Sequence, residues 1–343
     1  MTRFSDSSKE LKPGGALPVL LLAGPTASGK TSLAIEIFGG ISPGFGLEIV
    51  NADSMQIYRR MDIGTAKPTA SERSIVAHHL IDIAEPNEQF DAARYLRRAH
   101  PVIEELRGKN IIPLVVGGTG LYLRALTRGL CPGPPSEPQV KERLIFLEKS
   151  LGLAHLYGDL LRVDPASAAK IHPNDRQRIL RALEVFHVGG IPLSALQKSH
   201  GFARELFPTV KVFITRERDA LYKRIEQRVD AMMDEGLKAE VEGLLEMGFG
   251  PELKAMQAIG YRQMAAHLTG KMSLDEALFE IKRETRRYAK RQITWFGADS
   301  EYQCFDAEDA GGIIHYIRQS IARRLEEARA GLPKIDTLTS ASH

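Results

Sequence analysis

The segment LLLAGPTASGKT, residues 20–31, decides the fold. It has the form G-x-x-x-x-G-K-[ST], with Gly24, Gly29, Lys30 and Thr31 on the fixed positions. An apolar run at 19–23 leads into it, and TSLAIEIF (31–38) follows with helical spacing. That is the strand, loop and helix order a phosphate-binding loop requires. Glycines let successive backbone N–H groups turn inward around anionic oxygens, and the helix N-terminus adds partial positive charge. Lys30 supplies a point charge, and Thr31 a hydroxyl able to ligate Mg²⁺. The loop therefore reads as a polyphosphate cradle built from Gly24, Thr26, Ala27, Ser28, Gly29, Lys30 and Thr31. Whether the ligand is ATP is a separate question.

Working outward, LEIVNAD (47–53) reads as a second strand ending on Asp53. IIPLVVGG (111–118) and TVKVFIT (209–215) read as a third and a fourth, and DAARYLRRAHPVIEELR (91–107) as a helix before the third. Continuous apolar strands alternating with helices predict an α/β fold, a P-loop NTPase-like parallel sheet covered on both faces. Ligands of such sheets bind at the C-terminal strand ends, where residues 24–31, Asp53 and 117–120 should meet. CPGPPSEP (131–138) then marks a boundary, and the chain from there to about 204 has helical periodicity without a strand candidate. The expected organisation is a catalytic core of residues 1–137 and 205–328, an all-helical insertion at 138–204, and a disordered tail at 329–343. After the fourth strand the chain reads as helical to about residue 328.

The composition bounds the class of protein. At 343 residues the chain suits two domains or one large domain with an insertion, and 43% hydrophobic, 26% charged and 7% aromatic residues are ordinary for an enzyme. A net charge of +3 means that any nucleic-acid surface must come from local clustering. Cys131 and Cys304 are the only cysteines and fit no metal-ligand spacing. No apolar run is long enough to span a bilayer, and MTRFSDSSKELKPGG (1–15) lacks a signal-peptide core and reads as a frayed tail. A cytoplasmic protein is the expectation.

Among the chemistry-bearing residues, Asp53 is the one carboxylate that ends a strand near the loop. A P-loop ATPase usually places a Mg²⁺-coordinating Asp at the end of a buried strand, yet the third strand ends LVVGGTG (114–120) without one. Asp53 reads either as a general base or as an N-cap on a following helix. After it, Ser54, Gln56 and Tyr58 offer hydroxyl, amide and aromatic edges suited to reading and stacking a base. Arg224 and Arg228 stand at i, i+4 on one helical face, as a bidentate diphosphate clamp or a solvated pair. His78 and His79 have no Cys or carboxylate at ligand spacing and read as packing rather than a metal site.

The strongest nucleic-acid signal is IKRETRRYAKRQITWFG (281–297). Lys282, Arg286 and Lys290 repeat every fourth residue, as do Arg283, Arg287 and Arg291, giving a predicted stripe of six cations interrupted only by Glu284. DRQRILRAL (175–183), with Arg176, Arg178 and Arg181, offers a second patch, and QAIGYRQ (257–263) a third.

Seven motifs together are recognisable: GPTASGKT, NADSMQIYRRMDIGTAKP, HHLIDI, VVGGTGLYLRAL, DRQRILRALEV, AIGYRQM and KRQITWF. In this order, over about residues 20–296, they resemble the tRNA isopentenyltransferases, the bacterial tRNA dimethylallyltransferase family. The resemblance implies transfer of a dimethylallyl group from dimethylallyl diphosphate to N6 of adenosine 37, in tRNAs reading codons that begin with U. It implies that the P-loop holds a diphosphate leaving group, with Mg²⁺ on Thr31 and Arg224 and Arg228 assisting. A poor amine nucleophile needs a carboxylate to take its proton, which makes Asp53 the expected base. The resemblance places Thr119 at the reaction channel, although a turn threonine bonded to local backbone is the alternative. The implied tRNA contacts, centred on the anticodon stem-loop, are Asp53, Ser54, Met55, Gln56, Gln177, Arg178, Arg181, Gly260, Tyr261, Arg262, Lys282, Arg286, Lys290 and Arg291. A monomer is expected. The rival readings are a small-molecule P-loop kinase with a helical lid, an isopentenyltransferase of free adenine nucleotides, and a non-catalytic GTPase-like RNA-binding module. The missing second carboxylate and the basic stripe weigh against the kinase.

Overall fold

The computed structural model describes residues 17–41, 45–202 and 205–330. The expectation for residues 1–15 lies outside them, as does that for the tail at 329–343 except at residues 329 and 330, which are helical. Six strands form one sheet: β1 (Val19–Ala23), β2 (Gly46–Asn51), β3 (His78–His79), β4 (Ile111–Gly117), β5 (Thr209–Thr215) and β6 (Gln303–Asp306). Their order is β3-β2-β4-β1-β5-β6, and every pairing is parallel. β1 lies at the centre, with Leu21 opposite Val115 on one side and Lys211 on the other. All five of its residues are buried, which is why the strand is apolar throughout rather than alternating.

The four expected strands form where the sequence places them. β3 and β6 do not follow from the sequence. β3 has only two residues, paired to Ile49 and Val50. β6 is the short edge strand QCFD, mostly exposed, so neither produces an apolar run. The second strand also stops at Asn51 rather than Asp53, leaving Asp53 in the turn beyond it.

The described residues fall into two compact units, one of residues up to Thr127 and from Phe207, the other Arg128–Leu206. In the first, α1 (Lys30–Ile41), α2 (Ala70–Ile75), α3 (Ala92–Gly108) and α4 (Gly120–Arg128) interleave with the first four strands. The second unit contains α5 (Pro138–Leu151), α6 (Leu153–Val163), α7 (Pro165–Ala168), α8 (Arg176–Gly189) and α9 (Leu193–His200), and among its described residues no strand. Leu144, Leu156, Leu160, Ile179 and Leu183 form its core. Asp175 caps α8 by accepting from Arg178 N–H, and Gly190, at φ 68°, ends it in the left-handed conformation that glycine adopts without strain.

Back in the first unit, α10 (Arg218–Asp234), α11 (Leu237–Glu246), α12 (Tyr261–Leu268), α13 (Leu274–Gly297) and α14 (Ala310–Ala330) follow β5. Ile313, Ile317 and Ile321 of α14 recur every fourth residue and bury against Ile37 of α1 and Leu22 and Val212 of the sheet. α13 begins with a capping box between Ser273 and Glu276. Its Phe296 stacks on Phe213 of β5 at 5.3 Å between centroids, while the neighbouring Trp295 remains 40% exposed. No single helix among the described residues is long and apolar enough to cross a membrane.

Candidate active site

The P-loop joins β1 to α1 through two left-handed residues, Ala27 (φ 63°) and Gly29 (φ 100°). A Cβ at Gly24 would stand 2.8 Å from both Ile214 Cγ1 and Ser28 Oγ, so the first motif glycine is required by close packing on β5. Ser28 is fully buried, and its hydroxyl has no hydrogen-bond partner among the described residues. An orphaned buried hydroxyl is costly and fits an anionic oxygen. Lys30 Nζ folds back on the loop, donating to the carbonyls of Gly24 at 2.9 Å and Pro25 at 2.8 Å. Burial pushes its amine down to about 8; the Asp53 carboxylate opposes that shift and Arg228 adds to it.

Two guanidinium groups reach the same loop. Arg224 Nε donates to Ala27 O and Arg216 Nε to Ser28 O, both at 3.0 Å. Arg224 is therefore bonded to the loop, not a freely solvated member of its helix face. Arg216 was not among the sequence candidates. Its signal is a basic residue just past the C-terminal end of a parallel strand, where ligands bind.

Asp53 is held by a turn, and no helix begins after it. Its N–H donates to Asn51 Oδ1 at 3.1 Å, and its Oδ1 accepts from Met55 N–H at 2.8 Å. The N-cap alternative is excluded, since the next helix is α2. Thr119 Oγ1 accepts from Ser54 N–H at 3.0 Å, 65 residues away in the chain, so this threonine holds the Asp53 turn rather than local backbone. Tyr288 of α13 lines the larger cavity with Asp53 and Ser54, and burial pushes its hydroxyl up in pKa, with the nearby Asp53 charge adding to the shift.

Asp53 lines two cavities. The smaller, about 40 Å³, also takes Lys30, Thr31 and Asn51. The larger, about 370 Å³, is lined by Thr26, Ser54, Met55, Arg228, Gly260 and Tyr288, with Arg262 and Arg291 among the remaining residues. Thr31 hydroxyl and Asp53 carboxylate in one small cavity are hard oxygen donors of the kind Mg²⁺ takes alongside phosphate oxygens and water. Among the described residues no group of three His, Cys, Asp or Glu converges. His79 Nε2 is bonded to Glu48 at 2.6 Å, and His78 Nδ1 lies 2.8 Å from Val76 O.

Several expected acceptor contacts are occupied internally. Gln56 Nε2 donates to the carbonyls of Thr65 and Ala66, so its amide shapes the following loop. Tyr58 is fully buried, its hydroxyl donating to Glu88 O, and it offers no face for stacking. Tyr261 is likewise buried, donating to Glu240, which also accepts the N–H groups of Asp62, Ile63 and Gly64. It supports the cavity wall instead of meeting a ligand.

The basic stripe is largely neutralised. Lys282 pairs with Asp230 and Arg286 with Glu226, both from α10 at 2.6 Å. Arg283 pairs with Glu280 at 2.6 Å and Arg287 with Glu284 at 2.7 Å. Only Lys290 and Arg291 of the six have no acidic partner among the described residues. A single-helix reading could not see the two carboxylates that α10 supplies. In the second unit Gln177 is exposed, whereas Arg176 pairs with Glu148, Arg178 with Asp175 and Arg181 with Glu184.

Residues 56–299 match the family model described as IPP transferase. The chain belongs to the IPP transferase family. A member named tRNA dimethylallyltransferase from Syntrophobacter fumaroxidans is 60% identical over 301 residues, 88% of this chain and 87% of that one. Another of that name, from Geobacter sulfurreducens, is 49% identical over 286 residues, 83% of this chain and 91% of its own. The solved full-length tRNA isopentenylpyrophosphate transferase of Bacillus halodurans has a TM-score of 0.67 at 38% identity, covering 91% of this chain and 98% of that one. A eukaryotic dimethylallyltransferase, solved acting on tRNA, gives 0.74 at 28% identity, covering 92% and 80%. The α/β, P-loop NTPase-like core is thus the fold of this family, and the chain is a prenyltransferase of it.

Proposed function

We propose that the chain transfers the dimethylallyl group of dimethylallyl diphosphate to N6 of adenosine 37 in tRNAs reading codons that begin with U, releasing diphosphate. The observation that carries this reading is the position of Asp53, which lines both the pocket of Lys30 and Thr31 and the larger open cavity. A donor diphosphate on one side and an acceptor base on the other would meet at its carboxylate.

The exocyclic amine of adenine is a poor nucleophile, because its lone pair is delocalised into the ring. Asp53 accepts the amine proton as the C–N bond forms and the C–O bond to diphosphate breaks. Negative charge growing on the leaving group falls to the loop N–H groups, Ser28, Lys30, Arg224 and Arg228. Mg²⁺, held by Thr31 and the diphosphate oxygens, would neutralise part of that charge. Thr119 orients the turn and the acceptor amine. The target base leaves its stack to enter the cavity, beside Ser54, Met55, Gly260 and Arg262. In the first unit Lys290 and Arg291 take anticodon stem-loop phosphates; the second unit offers tRNA contacts of its own at Gln177, Arg178 and Arg181. The protein acts in the cytoplasm as a monomer.

The deciding assay incubates the chain with radiolabelled dimethylallyl diphosphate and unmodified tRNA, AMP or ATP. Label should enter tRNA alone, at adenosine 37. Label on AMP with none on tRNA, or ATP consumption without RNA, would sink the reading.

A further inference from the structure

Gln292 belongs to the motif KRQITWF, and the transfer as described makes no use of it. It stands on α13 and is 5% exposed, yet both ends of its amide are satisfied by loops distant in the chain. Thr26 N–H of the P-loop donates to its Oε1 at 2.8 Å. Its Nε2 donates to the carbonyl of Gly118 at 2.9 Å. One side-chain amide thus joins the donor loop to the turn that carries Thr119.

The seat is close-packed. A Cβ at Gly118 would collide with Gln292 Nε2, and one at Gly120 with Trp295 Nε1. Glycines on both sides of Thr119 thus leave room for the α13 side chains to come this close. The turn so held carries Thr119, whose Oγ1 accepts from Ser54 N–H beside Asp53. A Leu or Met would fill the same volume but leave Thr26 N–H and Gly118 O without partners. The amide, rather than its bulk, is what the position uses.

We propose that Gln292 is a positioning residue for prenyl transfer. Its amide sets the P-loop, and with it the diphosphate and the carbon bonded to it, at a defined distance from the Asp53 turn where the acceptor amine loses its proton. This rests on the reading that the loop holds the donor and that Asp53 meets the acceptor.

The test uses the full chain with Gln292→Met and Gln292→Glu. Single-turnover transfer to tRNA is measured at saturating substrates, alongside donor and tRNA binding and thermal melting. A misplacement of about 1 Å costs about 10²-fold in rate. The Met variant should lose about that much in the transfer step, with tRNA affinity unchanged. The Glu variant carries its own signature. Protonated, it keeps both hydrogen bonds; ionised, it cannot donate to Gly118 O and repels it. The ratio of its rate to the parent's should therefore approach one at low pH and fall as pH rises.

A folded Met variant transferring at the parent rate overturns the proposal. So does a Glu-to-parent ratio that is flat with pH, and this second measurement decides if the Met variant does not fold. Failure of the underlying reading shows elsewhere, as normal donor binding by Lys30→Ala or no labelling of tRNA by the parent, and would take the proposal down with it.

Discussion

Lys30 Nζ lies 2.9 Å from the carbonyl oxygen of Gly24, turned back onto the loop that should present it to a phosphate. Its amine is held at about 8 by burial, so near pH 8 about half of the ligand-free molecules carry it neutral. An incoming diphosphate favours the charged form. Donor binding should therefore take up protons at pH 8 and draw none through this amine at pH 6, where it is already charged. Calorimetry in buffers of different ionisation enthalpy measures the uptake. If Lys30→Met takes up as many protons at pH 8 as the parent does, this amine does not meet the diphosphate.

Asp53→Asn should leave the turn in place, because an amide oxygen can still accept from Met55 N–H. It cannot take a proton from the adenine amine. Loss of a general base costs about 10²–10⁴ in rate, so single-turnover transfer should fall by that much while tRNA affinity holds. A loss below about tenfold would mean that another group is the base.

The sheet and P-loop were readable in the sequence because each strand at the sheet centre is buried on both faces, and the loop needs its residues at fixed spacing. What was not readable depended on partners from distant elements. Asp230 and Glu226 of α10 neutralise Lys282 and Arg286, and nothing in the α13 sequence announces them. Tyr58 and Tyr261 looked like aromatic contacts because type and position in a motif say nothing of burial; both are fully inside. Arg216 and Gln292 escaped notice for the opposite reason. Each acts through a backbone group far away in the chain, Arg216 on Ser28 O at 188 residues and Gln292 on Thr26 N–H at 266.

Lys67 holds the acceptor-side loop together. Its side chain is 2% exposed, and Nζ donates to Tyr58 O at 2.5 Å and to Asp62 and Asp82, both at 2.6 Å. Burial alone would raise the Asp82 carboxyl, but hydrogen bonds and charge from Lys67 and Arg73 hold it below its ordinary value. That contribution to stability is present above the unfolded carboxylate pKa and lost as pH falls through the lower folded one. Lys67→Met should cost about 1–3 kcal/mol at neutral pH by urea unfolding, with the deficit shrinking in acid. It should also weaken tRNA turnover, since Gly64, Thr65 and Ala66 of this loop line the larger cavity. Unchanged stability at neutral pH would mean that the loop stands without its lysine.

The last prediction separates the two ends of α13. Lys282 and Arg286 spend their charge on α10, whereas Lys290 is exposed and Arg291 lies 5.6 Å from the centroid of the Tyr288 ring and lines the cavity. Each phosphate contact on a single strand contributes about 0.7 to the slope of log K against log salt. Replacing Lys290 and Arg291 together with Gln should lower that slope by about 1.4 and weaken tRNA binding, with donor affinity intact. Replacing Lys282 and Arg286 should leave the slope alone and cost about 0–1 kcal/mol of stability per partly exposed pair. The opposite assignment, with the slope moving only for Lys282 and Arg286, would require α10 to release its partners when tRNA binds. A slope unmoved by either pair would put the phosphate contacts on other surfaces, with Arg178 and Arg181 of α8 the next to replace.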